Sequence, residues 1–148
     1  MEMLTTMKDR VFLDAAYAIA LSVPRDQYHQ RAISLADELE NAKTRLITTR
    51  AVLLEIGNAL SKQRYRQAAI KLLDAIETDP NIEIVPLTES LYTRAFHLFC
   101  NRPDKEWGLT DCVSFVVMRE QKLTEALTTD AHFQQAGFLA LLLEESIP

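Results

Sequence analysis

The chain has 148 residues, 48% of them hydrophobic and 25% charged, an ordinary soluble composition for a single domain spanning residues 1–148. A net charge of −5 excludes a protein that is basic overall and leaves any phosphate contact to local basic patches. The longest apolar runs, Ala15–Leu21 and Phe138–Leu143, are too short to cross a bilayer, and the N-terminal MEMLTTMKDR has no apolar core, so neither a membrane span nor a secretory signal is expected.

In chain order, Arg10–Asp14 (RVFLD) reads as a short buried strand ending on an acid, followed by a short helix over Ala15–Leu21. Pro24 suits the first turn of the next helix, from Arg25 to Ala42, because its missing N–H would be unpaired there. Ala32, Leu35, Ala36 and Leu39 give that helix its apolar face. Arg45–Thr49 is a second strand. Two helices then follow, Arg50–Lys62 with a core face of Leu53, Ile56 and Leu60, and Arg64–Glu77, stopped by Asp79-Pro80. Ile82–Val85 is a third strand, and Thr88 is placed to cap a helix running to Cys100. A polar loop over Arg102–Glu106 leads to a helix ending near Gln121. Ala126–Thr129 and Phe138–Leu142 are the fourth and fifth strands, with Asp130 and a helical turn between them. Strands alternating with helices imply a three-layer α/β/α sandwich around a mostly parallel sheet of about five strands. Cys100 and Cys112 both lie in apolar helical patterns, as expected for reduced core residues of a cytoplasmic protein.

The most informative stretch is Gly108–Met118, GLTDCVSFVVM. A helix apolar on nearly every side is a buried one, and a carboxylate at its start, Asp111, is costly unless it is paired or binds a metal. Three other acids fall where they can meet it. In an open parallel sheet, ligands bind beyond the carboxyl ends of the strands. Asp14 ends the first strand, Asp130 follows the fourth, and Glu55 lies one turn into the helix after the second, among the small or polar Ala51, Asn58, Ala59 and Lys62. Each also has a plainer reading. Asp14 and Asp130 suit helix caps, Asp111 suits the positive end of its helix, worth about 0.3–1 kcal/mol, and Glu55 suits a solvated face. Together, four carboxylates at one sheet edge would repel unless a cation joined them, and oxygen-only ligation suits Mg2+ or Mn2+ better than zinc.

The phrases VFLD, VLLEIGNAL, LTDCVSFVVM and ALTTDAHFQQAGF, in this order and spacing, resemble the four acidic motifs of the PIN-domain ribonucleases, most of all the small VapC-like toxins of prokaryotic toxin–antitoxin pairs. The likeness runs from Val11 to Leu142. Carried over residue by residue, it places the family's catalytic metal-binding acids on Asp14, Glu55, Asp111 and Asp130. It implies Mg2+-dependent (or Mn2+-dependent) hydrolysis of RNA phosphodiesters, a homodimer and a cognate antitoxin protein. The helices Arg50–Lys62 and Arg64–Glu77 are where such protein contacts are expected. Many members follow the first acid with Ser or Thr, whereas Ala15 and Ala16 stand here. That leaves Thr110 and Thr129 as the candidate supporting hydroxyls.

For RNA contact the candidates are Asn58 and Lys62, then Arg64 and Arg66 around Tyr65, and Arg102 and Lys105 before the third motif. The alternative for these is a solvated helix end and loop, and Arg50 is placed to neutralise Glu55 instead. His29, His97 and His132 show no metal-ligand spacing, and Tyr17 and Trp107 read as core or interface residues. Two rival readings remain. A catalytically silent PIN-like module would bind RNA or protein without cleavage. A receiver-like signalling domain would need paired acids after the first strand and a late lysine, which are missing.

Overall fold

The computed structural model describes residues 9–144, so the N-terminal segment expected not to be a secretory signal lies largely outside the described residues. The elements are β1 (Arg10–Leu13), α1 (Ala15–Ser22), α2 (His29–Ala42), β2 (Arg45–Thr49), α3 (Arg50–Ala59), α4 (Gln63–Thr78), β3 (Ile82–Val85), α5 (Glu89–Asn101), α6 (Leu109–Glu120), β4 (Glu125–Leu127), α7 (Ala131–Gln135) and β5 (Leu139–Ala140). All strand pairings are parallel, in the order β3-β2-β1-β4-β5. The first two crossovers step outward from β1, and the connection from β3 to β4 steps back across it. Right-handed crossovers therefore put their helices on opposite faces, which makes the three layers. Because the direction reverses between β1 and β4, a crevice opens at their carboxyl ends. No helix of the described residues is long and apolar enough to cross a membrane.

The local rules explain most element ends. Thr49 caps α3, its hydroxyl oxygen accepting the Val52 N–H at 3.1 Å, and Thr88 caps α5 in the same way through Leu91. Leu53, Ile56 and Leu60 are buried as their spacing predicts. Three expectations need correcting. Helix α2 begins at His29, because the Asp26 carboxylate accepts the Tyr28 N–H at 2.8 Å and holds a turn in which Pro24 lies outside any helix. The fifth strand shrinks to Leu139–Ala140. Of the two free cysteines, Cys112 is buried but Cys100 is exposed, on a face of α5 that also exposes Phe96 and Phe99.

The core gathers around the crevice. Trp107 and Phe115 pack edge to face with centroids 5.0 Å apart, Phe115 and Phe133 likewise at 4.9 Å, and Phe133 leans on Phe12 at 6.2 Å. These rings come from β1, the loop before α6, α6 and α7. Three of the four candidate acids sit on the same segments, so aromatic packing fixes their backbones.

Candidate active site

Asp14 stands at the centre. Its N–H donates to the Leu127 carbonyl at 3.2 Å, which carries the β1–β4 ladder one residue past the end of β1. Since Leu13 faces Leu127, that register puts Asp14 opposite Thr128. The Thr128 hydroxyl donates to Asp14 Oδ2 at 2.7 Å, and its oxygen accepts the Asp130 N–H at 3.0 Å. Asp14 is only 6% exposed; it occupies the N-cap position of α1 but makes no side-chain cap bond there, so capping alone does not account for it.

Asp111 lies in the first turn of α6, and its Oδ2 accepts the Gly108 N–H at 3.0 Å, so it also serves its helix. Asp130 likewise caps α7, Oδ1 accepting the His132 N–H at 2.8 Å. The His132 ring then closes the group, with Nδ1 at 3.3 Å from both Asp111 Oδ2 and Asp130 Oδ1. Gln135 on the same short helix accepts the Trp107 indole N–H at 3.1 Å, tying α7 to the loop before α6. Glu55 is half-buried on α3 and is coupled electrostatically to Asp14, Asp111 and Asp130.

The electrostatics couple Asp14, Glu55 and Asp111 to one another and to Asp130. Burial pushes the Asp14 carboxyl from its ordinary 3.8 up to about 7; the Thr128 hydroxyl opposes this, and Glu55 and Asp111 add to it. Glu55 is raised by burial, then by Asp111 and Asp130. Asp111 is raised by burial, opposed by the Gly108 N–H, raised again by Asp130 and lowered by His132. Asp14, Glu55 and Asp111 therefore each feel a carboxylate from a separate part of the chain. Carboxylates gathered in this way are held neutral or need a cation, and oxygen donors suit a hard divalent ion. Asp111, Asp130 and His132 each offer a donor atom within 4.8 Å of the other two, and Asp14 and Glu55 are coupled electrostatically to Asp111. The donor set fits a divalent metal.

Sequence reasoning missed two of these residues. Thr128, not the adjacent Thr129, bonds Asp14, and neither the Thr110 nor the Thr129 hydroxyl bonds any of the four acids. The fourth strand is Glu125–Leu127 and ends before both threonines, and Thr128 is the one that continues its register opposite Asp14, so only the β1–β4 pairing could have chosen between them. His132 is a contact across the fold, and its only local signal was the short spacing from Asp130. Arg50 does not neutralise Glu55; it pairs with Glu77 at 2.9 Å across α3 and α4. Trp107 and Tyr17 are core residues as expected, and burial pushes the Tyr17 hydroxyl up to about 12.

The candidate RNA contacts scatter around this centre. Asn58 is exposed near the end of α3, and Lys62 is exposed at the N-cap of α4. Arg64 lies over the Tyr65 ring at 4.8 Å, beside Pro24 and Arg25 in a shallow hollow. Arg66 is spent on the Ser61 carbonyl. Arg102 is held by both oxygens of Asp104 at 3.0 Å and lies over Trp107, and the half-buried Lys105 lines a cavity of about 300 Å³ with them.

A PIN domain family model matches residues 11–139. The chain belongs to the PIN-domain family. Among PIN-domain relatives it is 26% identical over 130 residues to the 23S rRNA-specific endonuclease VapC20 of Mycobacterium tuberculosis, covering 87% of this chain and 95% of that protein. The crystal structure of VapC20, a sarcin–ricin-loop-cleaving toxin, superposes with a TM-score of 0.77 at 25% identity, over 87% of this chain and 96% of that one. The fold is shared with VapBC2 from Rickettsia felis, bound to a DNA fragment from its promoter, at a TM-score of 0.62 and 14% identity over 88% and 96% of the two chains. FitAcB from Neisseria gonorrhoeae gives 0.57 and 18% over 88% and 94%.

Proposed function

We propose that this PIN domain, a single nuclease domain over residues 1–148, is a Mg2+-dependent endoribonuclease (Mn2+ serving as well) and the toxin of a cytoplasmic toxin–antitoxin pair. The carrying observation is the convergence of Asp14, Glu55, Asp111 and Asp130 on the β1–β4 crevice, with Asp14 forced up to about 7 by burial and its acidic neighbours. Similarity to an RNA endonuclease, VapC20, over nearly the whole chain supports the substrate class.

In this reading Asp14, Glu55 and Asp111 would hold the cation directly or through water, and Asp130 would complete the set. A bound divalent ion supplies a water of lowered pKa and charge stabilisation at the scissile phosphate. The chain's own residues do the positioning. Thr128 fixes the Asp14 carboxylate and the Gly108 N–H fixes that of Asp111. Lys62 and Arg64, exposed and without an ion pair among the described residues, would take the RNA backbone with Asn58 and Lys105. Arg102 serves less well, because Asp104 already occupies its guanidinium. The antitoxin would cover α3 and α4, where Leu54 and Ile70 are 59% and 47% exposed, and the toxin would form a homodimer.

The test is cleavage of total cellular RNA by purified protein freed of any inhibitor. Wild type with Mg2+ or Mn2+ is expected to cut, and Asp111→Asn to keep its circular dichroism while losing cutting. Wild type that leaves all RNA intact with both metals overturns the reading.

A further inference from the structure

We propose that His132 is a nitrogen ligand of the metal site, which makes this site favour Mn2+ over Mg2+. The inference rests on the metal-dependent reading above and adds to it a donor that is not one of the four acids.

Geometry carries it. His132 Nδ1 lies 3.3 Å from Asp111 Oδ2 and 3.3 Å from Asp130 Oδ1. An octahedral ion with ligand atoms at about 2.1 Å holds neighbouring ligand atoms about 3 Å apart, so both edges already approach the required spacing. One ligand atom from each of the three residues lies within 4.8 Å of the other two.

The ring is also held in place. The His132 N–H donates to Asp130 Oδ1 at 2.8 Å, so ligand and neighbouring acid share one tight turn at the start of α7. One residue on, Phe133 is fully buried against Phe12 and Phe115, and it anchors that turn to the core. The other histidines are committed elsewhere. His29 Nδ1 lies 2.7 Å from the Ala20 carbonyl, and His97 is exposed on α5.

The chemistry gives the direction of selectivity. Mg2+ prefers oxygen ligands and keeps its waters, whereas imidazole nitrogen suits later divalent ions, and affinity for mixed sites rises along the first transition row from Mn2+. Replacing one oxygen position by Nδ1 therefore costs Mg2+ more than Mn2+.

The test is pulsed electron paramagnetic resonance on the full chain loaded with Mn2+, which detects a directly bound nitrogen without any RNA cleavage. Wild type is expected to show nitrogen coupling, and the doubly substituted His29→Gln/His97→Gln protein to retain it. His132→Gln should lose the coupling, bind Mn2+ about tenfold more weakly and change little toward Mg2+. Mn2+ bound by wild type without nitrogen coupling overturns the ligand role and leaves the RNA-cleavage reading standing. So does coupling that survives in His132→Gln. Wild type that binds no Mn2+ overturns both. Should His132→Gln fail to fold, the wild-type and double-variant spectra decide alone.

Discussion

Replacing Asp14 by Asn separates what the acidic site costs the fold from what it gives the chemistry. Burial and the acidic neighbours raise this carboxyl from 3.8 to about 7, a change equivalent to about 4 kcal/mol between its charged and neutral forms. The folded protein keeps the proton up to about pH 7, while the unfolded chain releases it near 3.8. Stability from this group is therefore full below the lower value and lost as pH rises through the upper one. Above neutrality the metal-free protein carries the whole cost. Asn keeps the shape, and its carbonyl oxygen accepts the Thr128 hydroxyl, but it has no charge to bury. Its amide hydrogens are less well placed than water around an ion, so about half the cost, about 2 kcal/mol, should be recovered, or about 5 °C in Tm. The assay is thermal unfolding by circular dichroism in EDTA at about pH 8 and about pH 4, then with millimolar Mg2+. Asp14→Asn should melt higher than wild type in EDTA at the higher pH, with the gap closing at the lower one. Added Mg2+ should raise the wild-type Tm and leave the variant unmoved. A variant that melts lower than wild type in EDTA at about pH 8, or a gap independent of pH, refutes the reasoning.

Thr128→Val removes the donor to Asp14 and the acceptor for the Asp130 N–H while keeping the buried volume. It should lower stability by about 1–3 kcal/mol in denaturant titration and weaken Mg2+ binding about tenfold by calorimetry, and unchanged binding would remove Thr128 from the site. Lys43 ends α2 in the left-handed region, with φ 56° and ψ 38°, where a side chain is strained. Lys43→Gly should raise stability by about 0.5–1 kcal/mol with unchanged metal binding, and a lower Tm would show that this strain is absent.

The alternation of strands and helices was legible because apolar periodicity reports which face of each element is buried. It cannot report what covers that face. Cys100 shares an apolar stripe with Phe96 and Phe99, yet all three are exposed, while Leu91 and Ala95 are the residues of α5 that are buried. Pro24 pointed to an earlier helix start, and a side-chain bond from Asp26 two residues on outweighed it.

The sequence by itself determined the type and order of the elements and the family to which the four acidic motifs belong. Those properties rest on local spacing and on residue types that survive being read one segment at a time. Only the tertiary structure decided which threonine holds Asp14, that His132 joins Asp111 and Asp130, and that Arg50 turns away to Glu77. Each of these depends on strand register or on contact between segments distant in the chain. The charge at Asp14 shows the division most clearly. Its position could be read from RVFLD, but its pKa near 7 follows first from burial and then from the Glu55 and Asp111 carboxylates that folding brings beside it.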